Sequence, residues 1–329
     1  MAGIQRISSL RATVAVLLAA MAAIAPRSGR ADYPERQITM IVCFPAGGGT
    51  DIAARIVNVP LGDALGKPVI IENRGGAGGS IGTATAARAA PDGYTLLVCS
   101  SAFVVNPSLY ANVAYDPFKD FEPIMVLGAS PNVLTVPAQS PITSLPQLIA
   151  QARANPGKLN WTSPGAGTTP YLAGELLKLK TNTDMIHIPF AGAGPASQAA
   201  IAGQVDWYTA NLGSLQGLID GHLLRPIAVT SKARWGDLPE VPSLDELGVK
   251  DAESDTFQGV YAPAGTPRPI IARLAKELDA ILARPDVREK FAKAGLPVVA
   301  EGPDVFRARI AREVPMYKGI IDQAGLKIR

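Results

Sequence analysis

Val42-Cys43-Phe44-Pro45-Ala46-Gly47-Gly48-Gly49-Thr50-Asp51 decides how the rest of this chain is read. An apolar β-type run, Ile38 to Phe44, stops at a proline and three glycines, and a helical pattern begins at about Thr50. A strand that passes through a glycine turn into a helix opens a βαβ unit. The first N–H groups of that helix have no partner inside it, and the helix dipole adds partial positive charge there, so such a turn suits an anion. Glycine lets a ligand carboxylate approach the main chain, and Thr50 offers a hydroxyl donor. Asp51 would repel a carboxylate, and its expected task is to cap the helix. A turn that only needs positive φ is the plain alternative.

Three more glycine turns follow β-type runs: Arg74 to Ser80, Ser163 to Thr168 and Phe190 to Pro195. Two turns in the first third and two near the middle suggest a cleft between lobes that grips a small anion with backbone. Ser163-Pro164-Gly165-Ala166-Gly167-Thr168 would face the first turn as a set of neutral donors. Ser100, Ser101 and Asn106 follow the run ending at Cys99, and would line the same mouth at the carboxyl ends of the strands.

Apolar runs alternate with helical patterns on both sides of about residue 140. The first set is Ile38–Phe44, Val69–Glu72 and Tyr94–Cys99, with helices from Thr50, broken at Pro60, and from Ser80 to Ala89. The second has strands at Leu159–Thr162, Met185–Pro189, Val205–Ala210 and Pro226–Thr230, interleaved with helices. Two C-terminal helices, Pro269–Ala283 and Pro303–Tyr317, are separated by Pro285–Gly295, with too little strand for a third sheet. The extended segments Pro123–Val136 and Asp255–Pro263 could each run from one lobe to the other, making a two-strand hinge. The expected division is a signal peptide over 1–31, one lobe from 32–130 plus 256–329, and a second from 131–255.

The signal rests on Arg6 and Arg11, the run from Ala12 to Ala25, and the small residues near Gly29-Arg30-Ala31. That run falls short of the roughly 18 apolar residues a membrane span needs. Of the whole chain, 47% is hydrophobic and 18% charged, and the net charge is only +3, which leaves no basic stripe for nucleic acid. With only two histidines, and neither in ligand spacing, no metal site is expected. Neither a dinucleotide fingerprint nor a nucleotide P-loop is found, so no cofactor is expected. Cys43 and Cys99 end two strand-like runs. A disulfide is permitted in an exported chain, but adjacent parallel strands give poor geometry, so two buried unpaired thiols are the favoured reading.

Gly78-Gly79-Ser80-Ile81-Gly82 matches the G-x-S-x-G of serine esterases, with His187 and His222 later in the chain. Five glycines in eight residues make chance matches easy, and the preceding strand ends well before the serine. Ser80 reads better as a helix-capping residue than as a nucleophile.

Several strings together give the chain a family likeness: Tyr33-Pro34, Phe44-Pro45-Ala46-Gly47-Gly48 with Asp51, Glu72-Asn73-Arg74 with Gly76-Ala77-Gly78-Gly79, Pro91-Asp92-Gly93-Tyr94-Thr95-Leu96-Leu97, Gly203-Gln204-Val205-Asp206, Leu238-Pro239-Glu240-Val241-Pro242 and Ala262-Pro263-Ala264-Gly265-Thr266-Pro267. In this order they resemble the periplasmic solute-binding proteins of tripartite tricarboxylate transporters, the TctC or Bug family. The resemblance implies an α/β, two-lobed Venus flytrap of the type II periplasmic-binding-protein fold with two crossing segments. It implies a monomer that captures a small carboxylate, di- or tricarboxylate or aromatic, and delivers it to integral membrane transporter subunits. It nominates Ala46, Gly47, Thr50, Ser163, Gly167, Thr168, Ala191, Gly192 and Asp206 for ligand binding, partly through waters. Where the family usually has Gly-His and often Tyr-Lys-Gly, this chain has Pro170-Tyr171 and Phe190-Ala191-Gly192, which removes charge and adds aromatic surface. An apolar or aromatic body behind the ligand's carboxylate is the corresponding expectation. A serine esterase using Ser80 and a sensor partner of a membrane kinase are the alternative functions.

Overall fold

The computed structural model describes residues 33 to 327, so the signal-peptide reading lies outside the described residues. The chain divides into a leading segment ending at Glu35 and a body from Arg36 onward. Its strands fall into two ladders joined by shared strands. On one side β1 (Ile38–Val42) pairs in parallel with β2 (Val69–Asn73) and β3 (Thr95–Ser100). On the other β5 (Asn160–Ser163) pairs in parallel with β6 (Ile186–Pro189) and β7 (Trp207–Asn211). Their apolar runs, crossed over by helices, are what parallel pairing requires.

Two long strands connect the ladders. β4 spans Phe121–Pro137 and β9 spans Asp255–Pro263, antiparallel to each other. β9 pairs with β3, while the second half of β4 pairs with β7 and with β8 (Leu224–Val229). The two extended segments read from sequence are these strands, and the α/β two-lobed architecture with two crossing segments follows from them. β4 is buried along nearly its whole length, and apart from Glu122 and Asn132 it consists of apolar and small residues. β10 (Val298–Glu301), not foreseen in the sequence, adds antiparallel to β4.

Aromatic side chains fill both cores. Phe103 stacks on Tyr261 with ring centroids 4.1 Å apart and meets Phe121 edge-on at 5.2 Å. Beyond the crossing, Trp161 stacks on Trp207 at 4.7 Å. Each such ring buries on the order of 150–250 Å².

Several local expectations need correcting. The first helix, α1, runs from Gly49 to Leu65 straight through Pro60. Proline removes one N–H donor, but the helix continues because Leu61 and Leu65 are buried beyond it, and Gly66 ends it in the left-handed conformation at φ 72°. Its N-cap is Gly48, with no side-chain capping bond, so Asp51 does not cap the first turn and accepts instead from the Gly47 N–H just before it. The supposed spacer after the long C-terminal helix contains a helix over Pro285–Lys293, started by proline at its first position.

Cys43 and Cys99 are disulfide-bonded, contrary to the unpaired reading. β1 ends at Val42 and the chain bends at Cys43, so its Cβ is free of the parallel pleat that argued against a bridge. Their Cα atoms are 5.3 Å apart, within the range a disulfide spans.

Candidate ligand-binding site

Where the two ladders face each other, a cavity lies at the carboxyl ends of the strands. Phe44, Pro45, Gly48, Gly49 and Thr50 form one wall, and Pro164, Thr168 and Pro170 the facing one. Asn211, Ser214, Thr256 and Gln258 close its floor, with Ser100 and Ala193 at the sides. Its volume is ≈ 30 Å³, room for about two water molecules at ~10–15 Å³ each. Proline rings, an aromatic ring and neutral polar groups line it, with no charged side chain among them.

Helix N-termini account for its polarity. The cavity touches the first residues or caps of helices over Gly49–Leu65, Thr169–Thr181, Ala193–Ile201 and Leu212–Asp220, and Ser100 lies just before the helix Ala102–Leu109. Each N-terminus contributes about half a positive charge through its unpaired N–H groups. Four of them converge on one uncharged pocket, which therefore favours an anion without a single lysine or arginine.

The first turn shows how the donors are apportioned. The Gly47 N–H donates to Asp51 Oδ2 at 2.9 Å, and the Gly49 N–H donates to Ser214 Oγ at 3.1 Å. Among the described residues the N–H groups of Gly48 and Thr50 meet no protein acceptor. Asp51 faces away from the cavity: Arg55 Nε donates to it at 2.8 Å and Asn73 Nδ2 at 2.9 Å. Burial alone would raise the Asp51 pKa, but these hydrogen bonds outweigh it and hold the carboxyl below its ordinary value. The turn's own negative charge is thereby committed elsewhere.

Of the residues nominated from sequence, Thr50, Ser100 and Thr168 line the cavity. Thr168 Oγ1 donates to Gly165 O at 2.8 Å and caps the helix behind it by accepting from the Tyr171 N–H at 3.3 Å. Ala46 and Gly47 lie on the exposed outer side of the turn. Ala191 and Gly192 line a second, outer cavity of ≈ 340 Å³ with Phe44, Pro45, Tyr110 and Phe190. Gly167 packs against lobe-facing side chains instead: a Cβ there would come within 2.3 Å of Asn106 Oδ1.

Ser101, Ser163 and Asp206 line neither cavity. Ser101 Oγ accepts from the Phe257 N–H at 2.9 Å and so fastens the crossing strand β9. Ser163 Oγ is 3.0 Å from His187 Nε2. Burial, helped by the charge of Lys178, lowers the His187 pKa to about 4, so this imidazole is neutral near pH 7. Asp206 sits before β7, at the end of the sheet opposite the cleft, where its Oδ2 accepts from the Asn160 N–H at 2.7 Å. Ser80 Oγ accepts from Asn106 Nδ2 at 3.0 Å, and neither histidine has a hydrogen bond to it.

The sequence profile described as "Tripartite tricarboxylate transporter family receptor" matches residues 53–326. The chain belongs to this receptor family. It is 37% identical over 313 residues to the UPF0065 protein in the tcbD-tcbE intergenic region of Pseudomonas sp. strain P51, covering 94% of this chain and 93% of that one. Among solved structures it is similar to the periplasmic binding protein BugD, with a TM-score of 0.87, 34% identity, and coverage of 90% and 100% of the two chains. R. palustris Rpa4515, solved with adipate, gives a TM-score of 0.87 at 31% identity, with coverage of 90% and 99%.

The floor of the cavity carries no glycine-turn signature in the sequence. Asn211 and Ser214 lie where β7 runs into the next helix, a strand–Asn–helix junction with the same logic as the glycine turns but without glycine to mark it. Thr256 and Gln258 belong to the crossing strand, whose residues looked structural.

Proposed function

We propose that this chain is an exported, periplasmic receptor that binds a small carboxylate in its interlobe cleft and hands it to the membrane subunits of a tripartite tricarboxylate-type transporter. The convergence of four helix N-termini on an uncharged cavity carries the reading, because it supplies donors and positive potential for one carboxylate without a fixed counter-charge. The adipate found with Rpa4515 agrees with it. The lobes would comprise residues 32–130 plus 256–329 and 131–255, the signal peptide would be removed after about residue 31, and the receptor would act as a monomer without metal or cofactor. The outer cavity, bounded by Phe44, Tyr110 and Phe190, favours a ligand whose carboxylate is followed by an apolar or aromatic body.

Native mass spectrometry of the purified protein tests this reading by identifying any co-purified acid. Thermal-shift and calorimetric titrations with benzoate, adipate, succinate and citrate should show saturable one-to-one binding by at least one of them. Stabilisation by citrate or succinate but not by benzoate would reject the aromatic-body part. Hydrolysis of a nitrophenyl ester that disappears in Ser80→Ala would overturn the receptor reading in favour of an esterase.

A further inference from the structure

The floor of the cavity contains an arrangement that joins the two sides of the cleft. Gly49 opens the helix after β1, on one side, and its N–H donates to Ser214 Oγ at 3.1 Å on the other. Having accepted there, Ser214 donates its own proton to Asn211 Oδ1 at 2.7 Å. That bond fixes which way the Asn211 amide points, because Oδ1 is the acceptor and Nδ2 is left as the donor. Asn211 is 5% exposed and its Nδ2 has no partner. An unmade buried N–H carries a desolvation cost that an incoming acceptor removes.

We infer that Gly49, Ser214 and Asn211 form a relay through which closure of the cleft sets the ligand-reading donor. The inference rests on the carboxylate-receptor reading for its ligand. When the sides are apart, Ser214 is not held by the Gly49 N–H, its hydroxyl rotates freely, and Asn211 can flip. When they meet, Gly49 orients Ser214, Ser214 orients Asn211, and Nδ2 is offered beside the free N–H groups of Gly48 and Thr50. Ligand and closure therefore favour each other, as linkage requires. Asn211 is a specificity residue in this scheme and Ser214 a positioning residue. A Cβ on Gly49 would lie 2.5 Å from Asn211 Nδ2, so a larger residue there has to displace the amide from this position.

The test combines a ligand-free and a ligand-bound readout on the full mature chain. Amide hydrogen exchange by NMR should show the Gly49 N–H protected in the wild type, and exchanging about tenfold faster in Ser214→Ala while Ile52 is unchanged. With whichever of benzoate, adipate, succinate or citrate binds the wild type, Ser214→Ala should weaken binding about tenfold, mainly through faster dissociation. Asn211→Asp, which puts a carboxylate against a carboxylate, should weaken it at least a hundredfold at unchanged fold by circular dichroism. Wild-type dissociation rate in Ser214→Ala, or wild-type affinity in Asn211→Asp, overturns the relay. If none of the four acids binds the wild type, the carboxylate reading fails, and Gly49 exchange alone then decides: faster exchange in Ser214→Ala keeps the relay, equal exchange removes it.

Discussion

The Tyr110 hydroxyl donates to the Ala166 carbonyl at 2.7 Å, and this bond crosses the mouth of the cleft. Tyr110 ends the helix that follows β3, and Ala166 lies in the glycine turn after β5. Removing the hydroxyl in Tyr110→Phe keeps the ring packing and loses one hydrogen bond, of the order of 0.5–1.5 kcal/mol. Affinity for a bound carboxylate should fall by about three- to tenfold with the melting temperature nearly unchanged. Titration calorimetry checks the affinity and a thermal melt of the free protein checks the stability.

Gly49→Ala separates function from folding. At the first position of a helix alanine is tolerated, yet the added methyl would collide with Asn211 across the cleft. Ligand affinity should drop by at least a hundredfold while thermal stability changes by no more than a few degrees. A large loss of stability together with affinity would show that the contact serves the fold instead.

The disulfide should contribute to stability in the ordinary way of a crosslink. It closes a stretch with a sequence separation of 56 between Cys43 and Cys99, for which loss costs about 2–4 kcal/mol. The double variant Cys43→Ala/Cys99→Ala should show that difference in urea unfolding, and adding a reductant should leave the variant's midpoint unmoved while lowering that of the wild type.

Glu313 predicts a pH dependence. Burial raises its pKa from 4.5 to about 7 despite the attraction of Arg309. The reason lies in how one guanidinium is shared. Glu301 takes it through two bonds of 2.6 and 2.7 Å, Glu313 has one at 2.9 Å, and Glu313 Oε2 has no partner. A folded pKa above the unfolded value means the folded state holds the extra proton between about pH 4.5 and 7. This group's contribution is therefore full below about 4.5 and is lost as pH rises through 7, by up to about 3 kcal/mol. The neutral His187 gives an opposite slope below about pH 6.5, so the fall is read as the difference between wild type and Glu313→Gln in urea unfolding from pH 4.5 to 8; two profiles of the same shape would falsify the assignment.

Much of the fold could be read from residues 38 to 51 because strand, glycine turn and helix are local signals, and the same pattern repeats. Asp255–Pro263 was also legible, since it is an extended stretch of β-forming residues long enough to run from one lobe to the other. What escaped were features decided by distant partners. Pro60 looks like a stop until Leu61 and Leu65 find a core to enter. Asp206 looked like a ligand residue because its string is part of a family signature, yet it precedes its strand and so lies at the wrong end of the sheet for a cleft at carboxyl edges. Asn211 and Ser214 gain their role only when Gly49, 165 positions before Ser214, arrives opposite them.

β4 has an implication for how such a protein can arise and be altered. A single strand of 17 residues completes the ladder of one lobe with its first half and of the other with its second. Neither lobe owns all its edges. Cutting the gene between them would leave each fragment with a raw, sticky border, prone to pair with copies of itself. New specificities in receptors of this build are therefore expected to come from exchanging the turns around the cleft, and not from shuffling whole lobes as ready-made modules.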